Sequence, residues 1–147
     1  MSRIKNTGPD QQSLESLSGN RKKINKVDAI RFPDIWGKSL SDRAIQFREW
    51  RYIAMQVVHR SSGPFRVIAI LDVLFSLEDC ECWATDEEFA HEAGHCNVKT
   101  ISRELQALRS LGLVFLEKSW IEKYGKKVRA RRLRLALPYD LKGVHQR

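Results

Sequence analysis

The sequence predicts an α+β domain, mainly α, in which a small helical core runs into a carboxy-terminal β-hairpin. Three observations predict it. Residues 85–112 hold two helix start signals and two glycine stops. The segment just before them, residues 65–77, is apolar on nearly every side of a helical projection. After Gly112 the spacing of apolar residues changes from about 3.6 to about 2.

The first 26 residues are rich in Ser, Asn, Gln, Gly and Lys and poor in large aliphatic side chains, a composition that buries too little surface to order a chain. Residues 1–40 are therefore expected to form a flexible basic tail, with Arg21, Lys22, Lys23 and Lys26 available to a phosphate backbone. Gly37-Lys38-Ser39 lacks the upstream glycine and strand of a phosphate loop. Residues 41–60 read as a helix capped by Ser41, with Ile45, Trp50, Ile53, Ala54 and Val57 close to one face and Phe47, Tyr52 and Met55 elsewhere. Apolar residues on several sides call for two neighbours, one of which could be a second copy of the chain, with packing wholly onto residues 65–77 of the same chain as the alternative. The sequence thus predicts a homodimer through this helix.

Ser61-Ser62-Gly63-Pro64 breaks the chain and places proline at a first helical position. The apolar segment 65–77 follows as the central buried helix. Residues 78–82 make a polar connection, and Trp83 is expected to pack as a staple or within a short edge strand.

Thr85 then opens a helix through a capping box with Glu88, and Asp86 and Glu87 complement its positive end. Phe89 and Ala93 share a face, Ala90 is small enough for a close crossing, and Gly94 supplies the left-handed turn that stops the helix. Asn97 caps a second helix over residues 97–111, which Gly112 ends. Val98, Ile101, Leu105 and Leu108 form its buried stripe, leaving Asn97, Lys99, Thr100, Ser102, Arg103, Gln106 and Arg109 at or near the outward face.

Residues 113–121 and 128–137 read as two strands joined through Tyr124-Gly125. Val128 and Ala130 have one parity while Leu133, Leu135 and Leu137 have the other, which predicts a bulge near Arg131 or Arg132. Lys123, Lys126, Lys127, Arg129, Arg131, Arg132 and Arg134 crowd the tip and one edge, more cations than an edge strand uses against aggregation. Pro138 ends the second strand, and residues 141–147 form a short tail.

Phe89-Ala90, Ala93-Gly94, Thr100-Ile101-Ser102-Arg103, Leu105, Leu108 and Leu111-Gly112-Leu113-Val114 together resemble the winged helix-turn-helix DNA-binding domains of bacterial and phage regulators and replication initiators. Ile101 stands one position later after Gly94 than in those domains, so the turn takes in an extra residue, His95 or Cys96. The resemblance implies a domain over residues 41–140, with the helix 97–111 entering the major groove and the hairpin lying along phosphates or a minor groove. It implies sequence-specific binding of double-stranded DNA by a transcription regulator, with a phage or plasmid replication initiator as the alternative. Arg103 would take a bidentate contact to guanine, with Asn97, Lys99, Thr100, Ser102, Gln106 and Arg109 reading or positioning nearby. A winged-helix protein-interaction module is the alternative of another class.

Composition is consistent with these expectations. The net charge of +8 is carried by the two ends of the chain, while residues 81–110 are net negative, and a basic carboxy-terminal part favours a polyanionic partner. The longest apolar run is too short for a bilayer, and no secretory signal is readable. Three cysteines without a framework spacing suit a reducing compartment, so a cytoplasmic, nucleoid-associated protein is expected. Cys80, Cys82, His91, His95 and Cys96 invite a zinc reading, but their spacing is poor. No metal, cofactor or small-molecule effector is expected, and the absence of any nucleophile, base or paired-carboxylate pattern argues against an enzyme.

Overall fold

The computed structural model describes residues 27–146 as an α+β fold of four helices and a three-stranded antiparallel sheet. In chain order these are β1 (Ala29–Arg31), α1 (Leu40–Arg60), α2 (Arg66–Leu74), α3 (Asp86–Glu92), α4 (Val98–Ser110), β2 (Val114–Lys123) and β3 (Lys126–Pro138). The basic cluster of residues 21–26 lies outside the described residues. Residues 27–39, expected to belong to the tail, are part of the fold. β1 pairs with the far end of β3, Ala29 opposite Pro138, and the Gln46 side chain ties Gly37 N–H and the Ile35 carbonyl to α1.

The first helix starts two residues earlier than Ser41 suggests, because Ser39 is the cap and its Oγ accepts from Asp42 N–H at 3.0 Å. Phe47, Trp50, Ile53, Ala54, Val57 and Val58 are buried against the rest of the chain, while Ile45, Tyr52 and Met55 stay exposed. Trp50 anchors the helix to the sheet: its Nε1–H is shared between the Leu113 carbonyl at 3.0 Å and the Ala136 carbonyl at 2.8 Å. These acceptors lie where β2 and β3 converge, since Ala136 N–H itself donates to Leu113. At the other end of the core Phe47 stacks on Phe75, which also meets Trp36.

Pro64 does not open the second helix; Phe65 is its cap and Arg66 its first residue. Val67, Ile68, Ile70 and Leu71 are buried, but Val73 is 66% exposed, so α2 is covered on one side and not all round. The chain then turns through a bridge between Ser76 and Glu81 and brings Cys82, not Trp83, alongside β3. Cys82 exchanges both backbone hydrogen bonds with Leu133, at 2.9 and 2.8 Å. β3 is thus the centre of the sheet, with β2 along one edge and β1 and Cys82 along the other.

The capping box at Thr85 is present in both directions: Glu88 N–H donates to Thr85 Oγ1 and Thr85 N–H to Glu88 Oε1. Phe89 and Ala90 bury the α3 face that meets α4. His95 follows Gly94 into the left-handed region, with φ of 65° after 85°. Two left-handed residues in succession let Cys96 N–H return to the Ala90 carbonyl and deliver Asn97 as the α4 cap.

Gly94 and Gly112 need glycine for different reasons. A Cβ at Gly94 would meet nothing, whereas one at Gly112 would come within 3.3 Å of Ala29 Cβ and 3.4 Å of Pro138 Cα. Gly94→Ala should therefore lower stability by backbone strain alone, about 1 kcal/mol, and Gly112→Ala by about 2–3 kcal/mol, as crowding adds to the strain. Urea unfolding of the two variants checks this; equal losses would show that β1 does not press on Gly112.

The hairpin register runs without a break from Val114 opposite Leu135 to Lys123 opposite Lys126. No bulge is present. The parity change that suggested one marks the point where the hairpin leaves the core. Leu133 and Leu135 face the helices with Val114 and Leu116, whereas Val128 and Ala130 lie on the opposite face of an outer half that has no core to bury in. Tyr124 and Gly125 form a two-residue turn with φ of 53° and 76°. Asn or Gly ordinarily fills the first position of such a turn, and holding an aromatic residue there costs about 1–3 kcal/mol.

Candidate nucleic-acid interface

Helix α4 divides cleanly. Ile101, Leu105 and Leu108 enter the core, and Glu104 joins them, its carboxylate gripped by Arg66 at 2.7 and 3.2 Å. The Glu104 position is readable from the helical period, three after Ile101 and four before Leu108, and a search for outward polar residues overlooks it. Val98, expected in the stripe, is exposed, as is Ala107.

The outward polar face is Lys99, Arg103 and Gln106. Among the described residues none of these three has an intrachain side-chain hydrogen bond or ion pair. Thr100, Ser102 and Arg109 are half-buried at its margins. Asn97 is spent on the cap, its Oδ1 accepting from Lys99 N–H at 2.8 Å. Arg103 thus stands at the middle of the exposed face with its guanidinium uncommitted.

The cations of the hairpin separate into two sets. Lys123, Lys126, Lys127 and Arg129 are exposed on the outer half, together with Lys118, which sequence reasoning missed although strand pairing places it opposite Arg131. Arg131, Arg132 and Arg134, expected to face DNA, are instead bound within the chain. Arg131 donates to the Asp86 carboxylate and to the Ala84 carbonyl, and lies 5.9 Å from the Phe89 ring. Arg132 meets Glu117 at 2.8 Å and Glu81 at 3.8 Å beside the Trp83 ring, and Arg134 holds the second Glu117 oxygen at 2.9 Å. Carboxylates at these distances balance the three charges locally, and the pairs brace the hairpin root.

Glu117 feels this bracing directly. Burial raises its carboxyl pKa, but hydrogen bonds and charge from Arg132 and Arg134 outweigh burial and hold it below the ordinary 4.5. A carboxyl with a depressed folded pKa stabilises the native state fully above its unfolded pKa, and that contribution disappears as pH falls through the folded value. Wild-type protein should accordingly lose stability on acidification below about pH 4.5, and Glu117→Gln should lose less over the same interval. Parallel acid titrations of thermal melting would show it; matching slopes would remove Glu117 from the bracing.

Among the described residues, no three His, Cys, Asp or Glu side chains gather as a metal site. His91 and His95 meet edge to face, with centroids 4.7 Å apart. Burial pushes the Cys82 and Cys80 thiols above their ordinary range. No described helix is long and apolar enough to cross a membrane.

No family model matches the chain, and neither curated proteins nor solved structures give a significant match.

Proposed function

We propose that the chain is a winged helix-turn-helix protein that binds double-stranded DNA sequence-specifically and regulates transcription in a bacterial or phage setting. The observation that carries this reading is the uncommitted face of α4: three exposed polar side chains, one of them arginine, on a helix whose Glu104 and cap Asn97 are by contrast engaged within the fold. A helix of 13 residues is about 20 Å long, and the major groove, about 12 Å wide, admits it. The exposed outer-half cations of the hairpin would lie along phosphates, which fix register without reading sequence.

Selection of bound duplexes from a random pool tests the reading and yields the site. Lys99, Lys118, Lys123, Lys126, Lys127 and Arg129 together would give a log–log salt slope of roughly −5, at about −0.9 per phosphate. A duplex affinity that is absent or independent of salt would overturn the proposal and return the α4 face to protein docking. Arg103→Ala should weaken the selected site by about 1–3 kcal/mol and relax one base position, with thermal melting unchanged because the side chain is exposed. Unfolding of this variant, with relative site affinities preserved, would make Arg103 structural.

A further inference from the structure

The core-side face of the hairpin continues beyond the core, and its exposed portion is not simply basic. Trp120 is 62% exposed there, directly opposite Arg129, whose guanidinium lies 5.4 Å from the ring centroid. Lys118 precedes it along the strand, and Glu122 faces Lys127 beyond it. At the tip Tyr124 is 94% exposed, in a left-handed conformation that a tyrosine adopts only under strain, between Lys123 and Lys126. Neither ring belongs to the buried core.

Two open aromatic rings, about 13 Å apart along the strand at ~3.3 Å per residue, stand near Lys118, Lys127 and Arg129 on this face and near Lys123 and Lys126, which belong to the opposite face and flank the tip, with Glu122 the only carboxylate on the outer-half positions of this face among the described residues. A ligand matched to this surface must be planar and π-faced at intervals and anionic between them. Paired bases hide their faces within the duplex stack, so a groove contact makes no use of open rings; unpaired bases present theirs. We propose that the hairpin is a stacking site for single-stranded DNA, with Trp120 and Tyr124 each taking an unpaired base and the surrounding cations taking the phosphates. This rests on the duplex-binding reading for α4 only in placing the unpaired stretch beside a bound duplex. The Arg129 guanidinium over the indole holds that ring in place for stacking.

The full chain would be titrated with a thymidine oligonucleotide, with a fully paired duplex carrying the selected site, and with the same duplex containing an unpaired segment beside that site. Trp120→Ala and Tyr124→Ala should each weaken thymidine-oligonucleotide binding roughly 5- to 150-fold, the range for loss of one base-stacking ring. Each should abolish most of the preference for the partly unpaired duplex, while the paired duplex is bound almost as before. Trp120→Phe should keep most of the affinity, and the oligonucleotide should quench wild-type tryptophan fluorescence but not that of Trp120→Ala. Unchanged oligonucleotide affinity in both alanine variants, or no oligonucleotide binding by wild type, overturns the stacking site and leaves the α4 reading standing. Oligonucleotide binding that depends on both rings, without any paired-duplex binding, supports the stacking site and removes the α4 reading. A uridine RNA oligonucleotide bound at least tenfold more tightly than the thymidine one overturns the assignment to DNA.

Discussion

Trp50→Ala is expected to leave the domain without a cooperative unfolding transition at room temperature. The indole is fully buried and packs against Phe47, and truncating such a side chain costs about 3–5 kcal/mol. Its Nε1–H also donates to the Leu113 and Ala136 carbonyls; Leu113 keeps the Ala136 N–H, but loss of the donor to Ala136 costs about 1–3 kcal/mol more. The total is comparable to the whole stability of a small domain, about 5–15 kcal/mol. Trp50→Phe separates the two contributions, because it keeps much of the packing while losing the fork. Urea titration followed by circular dichroism should show a lowered but cooperative midpoint for Trp50→Phe and a broad, early loss for Trp50→Ala. A native-like midpoint in Trp50→Ala would show that α1 is an accessory to the fold and not its clamp.

The second large effect concerns binding. Replacing Lys123, Lys126, Lys127 and Arg129 together with glutamine should make the salt slope shallower by about 3–4, since each phosphate contact contributes about 0.9. Affinity at moderate salt should fall by orders of magnitude, with the order of preference among duplex sites unchanged, because phosphate contacts position and do not specify. Thermal melting should stay close to wild type: none of the four is ion-paired among the described residues. The complementary set behaves in the opposite way. Arg131, Arg132 and Arg134 replaced by glutamine should depress melting, since Asp86 and Glu117 lose their partners. An unchanged slope in the first variant would exclude the outer hairpin from the interface.

Local signals foretold the elements that are governed locally. The Thr85–Glu88 box, the Asn97 cap and the stops at Gly94 and Gly112 each depend on residues within one turn, and all are where the sequence places them. β1 was hidden for the opposite reason. Ala29, Ile30 and Arg31 have no strand pattern of their own, and they are extended because the end of β3 offers an open edge. The bulge was a misreading of parity, which assumes a core on one side of the whole strand; the outer hairpin has none. The arginines show the limit most clearly. Their number and spacing were legible, but Asp86 and Glu81, which hold Arg131 and Arg132, come from over 40 residues upstream. Glu117 was within reach, because a turn at Tyr124-Gly125 sets it opposite Arg132 by simple counting.

The bond from Arg131 to the first residue of α3 ties the root of the hairpin to the helix pair. Arg132, through Glu81, adds a second tie from the same strand to the connection before α3. The root of the hairpin is therefore pinned to the helix pair by ion pairs. On the proposed reading, this makes the molecule a ruler as well as a reader: the span between the bases facing α4 and the phosphates facing the hairpin is set by the protein and not adjusted to the DNA. Inserting one base pair between those two zones of a selected site should then cost as much affinity as losing one zone outright.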